Sequence, residues 1–279
     1  MHLEHARIPR EYHEYIGRKM LFLGGGVLLL ALVLLLSVSL GAVRIPLPDL
    51  AGTLLGRSVS TRWELIVWNI RLPQALTAIV AGIGLSVAGT VMQAILRNPL
   101  GSPFTLGISQ AAAFGAALSV MVLGSGSMQS RGADAVTISN PHLTTITAFC
   151  FCLIATGVIL LVSHLKKASP EVMVLAGVAL GSLFTAGTRF LQYFADDIQL
   201  AAMVFWSFGD VGRASWRELG IMSLVVALSS GYFLFNSWNY NAIDAGDEQA
   251  KGLGVNVERL RLFGMVCASL ITACIIAFL

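Results

Sequence analysis

The sequence predicts an all-α fold, a polytopic bundle of membrane-crossing helices. Of 279 residues, 56% are hydrophobic and only 12% are charged, about half the charge of a soluble domain. The few charges are spaced so that long charge-free runs lie between them. A helix needs about 20 apolar residues to cross roughly 30 Å of hydrocarbon. The runs are continuous rather than alternating, which selects helices over a β-barrel. A net charge of +3, with no basic patch, excludes a nucleic-acid binder. The mean hydropathy of +0.78 excludes a disordered chain.

Seven runs give seven expected helices, at about 20–40, 73–96, 104–123, 143–164, 172–193, 218–236 and 262–279. The first follows a polar stretch, 1–19, read as a cytoplasmic tail. Run 20–40 is longer than a signal-peptide core and lacks an A-x-A cleavage site, so it is read as a retained helix. His2, His5 and His13 fit a solvated tail better than a metal site. Cys150, Cys152, Cys267 and Cys274 lie inside apolar runs and read as small packing residues, with no disulfide and no metal expected. No cofactor is implied.

Placing the N-terminus inside and alternating puts ten basic residues on inner segments and eight on outer ones, with every lysine inside. That is a weak positive-inside bias. In the second helix Gly82 and Ser86 form a small-xxx-small pair, and in the fifth Gly177 and Gly181 form another. Such residues let helix backbones approach closely in lipid. Close packing is the favoured reading for the second helix; for the fifth, where Thr185, Thr188, Arg189 and Gln192 add polarity, packing and the lining of a polar path fit equally well. Between the second and third helices, Arg97-Asn98-Pro99-Leu100-Gly101-Ser102-Pro103 reads as a turn.

Segment 237–261 is the longest polar stretch between two helices of the second half. Asp244 is expected to cap a short helix whose first turn holds Asp247 and Glu248. Gly252 and Gly254 are expected to stop it, and a second short helix runs from Asn256 into the last membrane segment. Such a helix–Gly–helix knob fits docking of a soluble partner better than a linker. The chain has no G-x-x-x-x-G-K-[ST], so it does not hydrolyse ATP by that route. No acidic residue falls mid-membrane, which argues against an ion-coupled secondary transporter or channel, the alternative reading. A non-transporting membrane scaffold is a third.

Several ordered stretches then carry a resemblance. Ile70-Arg71-Leu72-Pro73-Gln74 leads into Val91-Met92-Gln93-Ala94, then Arg97-Asn98-Pro99-Leu100-Gly101-Ser102-Pro103 and Leu106-Gly107-Ile108-Ser109. Trp206-Ser207-Phe208-Gly209 with Ser215-Trp216, and Gly246-Asp247-Glu248-Gln249-Ala250-Lys251-Gly252-Leu253-Gly254-Val255, complete it. From about residue 60 to the end the chain resembles the FecCD/BtuC family, membrane subunits of ATP-driven importers for iron–siderophore, haem and cobalamin.

The resemblance implies a BtuC-like bundle with short cytoplasmic coupling helices, in the cytoplasmic (inner) membrane of a bacterium or archaeon. It implies a permease domain over 20–279, with a coupling segment at 239–258, and a non-enzymatic subunit. Its partners would be cytoplasmic ABC ATPase subunits, an extracytoplasmic substrate-binding protein, a second permease copy in a homodimer and the lipid bilayer; nucleic acid is not among them. The coupling residues implied are Asp244, Gly246, Asp247, Ala250, Leu253, Gly254 and Val255. Gly181, Thr185 and Arg189 are implied for the translocation path, and Arg97, Asn98 and Pro99 as a structural motif. The family's outer motif often reads Arg-Leu-Pro-Arg and meets the binding protein. Arg71 matches its first arginine, and Gln74 departs from its second. The family also has about ten helices, whereas this chain ends within the seventh, so a truncated chain is expected.

Overall fold

The computed structural model describes residues 10–57, 60–128, 136–138, 141–165 and 169–279. It divides into two units, Met1–Ala75 and Leu76–Leu279.

In the first unit, α1 spans Arg10–Ser39. It begins ahead of the expected residue 20, because nothing between 10 and 20 breaks a helix and Glu11 suits the positive end of its dipole. Residues 10–19, read as a tail, are therefore helical, with His13 exposed. His2 and His5 lie outside the described residues. Among the described side chains of α1 only Val38 and Ser39 are buried, and most of its leucines are exposed. Pro46 then starts a helix the sequence reading missed, α2, Leu47–Leu54. It is too short to register as a span.

Next come α3, Thr61–Ile66, a π turn, Val67–Arg71, and α4, Leu72–Leu96. Together they form one apolar helix, Thr61–Leu96, longer than the expected 73–96. Arg62, Glu64 and Arg71 ended the charge-free run but did not end the helix. Pro73 lies inside it, where proline lacks an N–H and crowds the preceding turn. The π turn directly before it widens the backbone there. Val38, Ile45, Leu50, Val67 and Ala75 form this unit's core.

The second unit holds α5 (Ile108–Met121), α6 (Pro141–Leu165), α7 (Pro170–Phe194), α8 (Asp197–Phe208), α9 (Trp216–Phe235), α10 (Ser237–Ala245), α11 (Asp247–Gly252) and α12 (Val257–Phe278). A small antiparallel hairpin pairs β1, Gly126–Met128, with β2, Val136–Ile138; the described residues are otherwise all-α. Among the described residues, six helices are long and apolar enough to cross a membrane. The expected third span, 104–123, is the exception. The turns of 101–107 delay α5 to Ile108, so it has 14 residues, about 21 Å at 1.5 Å per residue. The sequence reading also missed α8. Asp196 caps it in a reciprocal capping box with Gln199, but 12 residues fall below the length of a span.

α5, α6 and α7 meet through small residues. A Cβ on Gly115 would lie 2.7 Å from the Thr147 carbonyl oxygen, so α5 and α6 touch backbone to backbone. Phe114, Phe151 and Phe184 join the three helices, with ring centroids 5.1, 5.6 and 6.2 Å apart. α12 is the most buried span, carrying Met265, Ala268, Ile271, Ala273 and Ile275 into the main core. The four cysteines are free thiols; Cys150 is exposed and Cys152 and Cys274 are buried.

Candidate functional site

The polar end of the second unit gathers the end of α4, the start of α7, α10, α11 and the start of α12. α10 packs by Tyr240 and Ile243, both buried. Burial pushes the Tyr240 phenol above its ordinary range, so it stays protonated, and it donates to the Leu260 carbonyl at 3.4 Å. Gly264 makes room for this contact: a Cβ there would collide with the Tyr240 hydroxyl and lie 3.1 Å from Tyr240 Cζ.

Asp244 does not cap the next helix, as the sequence reading expected. It is exposed within α10, and Gly246 occupies the cap, because α10 runs to Ala245. Asp247 and Glu248 do fall in the first turn of α11. Ala250 is fully buried, while Leu253 is 75% exposed. The helix thus has an inward foot and an outward apolar tip. Gly252 ends α11 and Gly254 turns the chain at φ 81°, a left-handed conformation that favours glycine. Val255 is half-buried. Beside this tip lies a groove of about 630 Å³ lined by Tyr232, Asn239, Leu253, Val255, Arg259 and Phe263.

Arg261 was not among the residues singled out from sequence. Its residue is 2% exposed. Its two terminal nitrogens donate to the two Asp247 carboxylate oxygens at 2.8 and 2.7 Å, and its Nε donates to the Ile95 carbonyl at 3.0 Å. These hydrogen bonds, with the charges of Arg261, Arg97 and Lys251, hold the Asp247 carboxyl below its ordinary range against its partial burial. One signal pointed to Arg261: a cation one turn inside an apolar helix requires a partner.

Arg97 ends α4 in a left-handed conformation, φ 47°. The Asn98 side chain accepts from the Leu100 amide at 2.9 Å, and Gln93 donates to the Pro99 carbonyl at 2.9 Å. The 97–103 motif is thus a self-bonded turn. Arg97, Ser169, Glu171, Asp247 and Arg261 surround a polar cavity of about 540 Å³. Nearby, His164 on α6 pairs with Glu258 on α12 at 3.2 Å.

The residues expected to line a path divide. Gly181 is buried against Gly107: a Cβ on Gly107, whose φ is 75°, would lie 2.7 Å from the Gly181 amide nitrogen. Close packing, one of the two readings of this glycine pair, is what the geometry supports at Gly177 and Gly181. Thr185, half-buried, donates to the Gly181 carbonyl at 2.8 Å, and Arg189 is exposed. In the first unit, Arg71 turns inward. It donates to the Val38 carbonyl at 2.6 Å, to Ser39 at 2.9 Å and to Val43. Gln74 is half-buried. Of the basic residues used for orientation, Arg7, Arg131, Lys166 and Lys167 lie outside the described residues.

A family model, the FecCD transport family, matches residues 29–279. The chain belongs to this family. Over 98% of its length it is 49% identical to a Methanocaldococcus jannaschii protein named as an ABC transporter permease, covering 77% of that protein. It is 31% identical to the hemin transport system permease of Yersinia pestis, over 92% of this chain and 73% of that one. Among solved structures it is similar to an inward-facing metal-chelate-type ABC transporter, with TM-score 0.76 and 27% identity, covering 94% of this chain and 76% of that one. The resemblance read from the motifs is borne out. As a FecCD member with six apolar helices, the chain is a multi-pass ABC-transporter permease of the cytoplasmic membrane.

Proposed function

We propose that the chain passes an iron chelate, haem or cobalamin inward, delivered by an extracytoplasmic binding protein and driven by ATP hydrolysed on separate cytoplasmic subunits. Two copies of the chain form the working permease. The observation that supports this best is the α10–α11–α12 knob. Its foot, Ala250, is buried, and its tip presents Leu253, Gly254 and Val255 beside an open groove. An apolar tip on a short helix suits insertion into a hydrophobic groove of a soluble partner. Asp244, Gly246 and Asp247 shape that knob. The binding protein meets the end of α1 and Gln74, a surface that Arg71 braces from behind. Arg189, exposed on α7, and Thr185 lie on the path side.

Copurification tests the partner. A P-loop ATPase is expected to remain with the parent chain and to be lost on Leu253→Asp, which puts a charge on the docking tip. Uptake is expected to stop when ATP is depleted with the membrane potential held. Uptake that follows an ion gradient instead would overturn the reading.

A further inference from the structure

We propose that Arg261 is a positioning residue for transport: its guanidinium yokes the coupling helix α11, through Asp247, to the end of α4, through the Ile95 carbonyl, so that displacement of α11 reaches α4 directly. This rests on the reading of α11 as the ATPase-docking element.

α11 has six residues, too few to be stable alone. Something outside it must fix its position. Its internal pair, Lys251 with Glu248 at 3.0 Å, is exposed and contributes little. Ala250 anchors it by burial but sets no direction. The Arg261–Asp247 pair does set one. A bidentate guanidinium–carboxylate contact fixes both distance and angle. The third donor, Nε, is spent on α4 at 3.0 Å, so one rigid planar group spans three elements.

Burying a charged pair is a poor route to stability, since apolar residues of similar volume generally do as well. What the pair supplies is register between α11 and α4. From α4 the connection runs on through backbone. Arg97 and the turn that follows it lead to Gly107, whose backbone lies against Gly181 of α7. A push on α11 therefore has a continuous, closely packed route to α7.

Arg261→Lys keeps the charge and loses the two-pronged geometry. In proteoliposomes holding the chain, its ATPase and its binding protein, Arg261→Lys is expected to keep the ATPase bound. Substrate moved per ATP is expected to fall at least tenfold. A parallel fall in hydrolysis and uptake, or no fall, overturns the yoke. A second arm needs no partner. Spin labels at Leu100 and Glu248, both exposed, are expected to give one narrow distance distribution in the parent chain in nanodiscs, and a broad one in Arg261→Lys and in Asp247→Asn. Unchanged distributions in both variants overturn the proposal. If the parent retains no ATPase, the docking reading fails, while the label distances still decide whether the yoke exists.

Discussion

Arg71 and Arg261 each fold a guanidinium back onto main-chain carbonyls, yet only Arg261 also meets a carboxylate. Arg71 gathers the Val38, Ser39 and Val43 carbonyls where α1 ends. A helix end leaves carbonyls without intrahelical partners, and inside a membrane protein those groups cannot turn to water. Arg71 satisfies them with neutral acceptors and holds one loop. Arg261 holds the Ile95 carbonyl and the Asp247 carboxylate, and so ties three elements together. The first is a brace for a local chain reversal. The second is a joint between separate helices, and its strength depends on a proton.

The largest expected effect separates them at once. Arg261→Ala strands the Asp247 carboxylate and the Ile95 carbonyl, and should cost about 3 kcal/mol, the lower end for breaking a buried pair, because the Asp247 side chain keeps 32% exposure. Arg71→Ala takes the donor from the Val38, Ser39 and Val43 carbonyls but strands no charge, and should cost roughly 1–3 kcal/mol. Thermal unfolding in detergent measures both, and equal losses would erase the distinction. Gly264→Ala tests the packing that lets α12 reach Tyr240. Overpacking of this kind costs about 1–3 kcal/mol, read as a lowered Tm and faster amide exchange across α10.

The smallest effect concerns pH. Asp247 has a lowered pKa in the folded chain, so its contribution is complete above the ordinary carboxylate range and disappears as pH falls through that range and the lowered pKa. The stability difference between the parent and Asp247→Asn is therefore expected to shrink between about pH 7 and pH 3. The penalty for Arg71→Ala should hold steady, because carbonyls do not titrate. A constant Asp247→Asn difference would mean that the acid does not work as an ion pair.

The spans were legible because charge is costly in hydrocarbon, so Arg44, Arg97, Glu171 and Asp244 mark where helices leave it. What was missed had no such marker. α2 and α8 are too short to leave a span-sized gap. The run 104–123 looked like a span, but Gly101, Pro103 and Gly107 use its first residues for turns. Of the knob, Gly254 and the acids of α11 were legible through capping rules, while Gly246 took the place expected of Asp244. Arg261 was hidden for a different reason. Its partners stand 14 and 166 residues away in the chain, and no periodicity connects such positions. Arg71 was visible as a motif residue, but its inward turn depends on where α1 ends, and that end belongs to the fold.

Where Gly107 meets Gly181 there are no side chains to change rotamer, only two peptide backbones in van der Waals contact. A joint of that kind cannot slip by degrees. The 101–107 turn and the first half of α7 must travel as a single piece, and whatever flexing accompanies the transport cycle has to be taken up at other points along the chain.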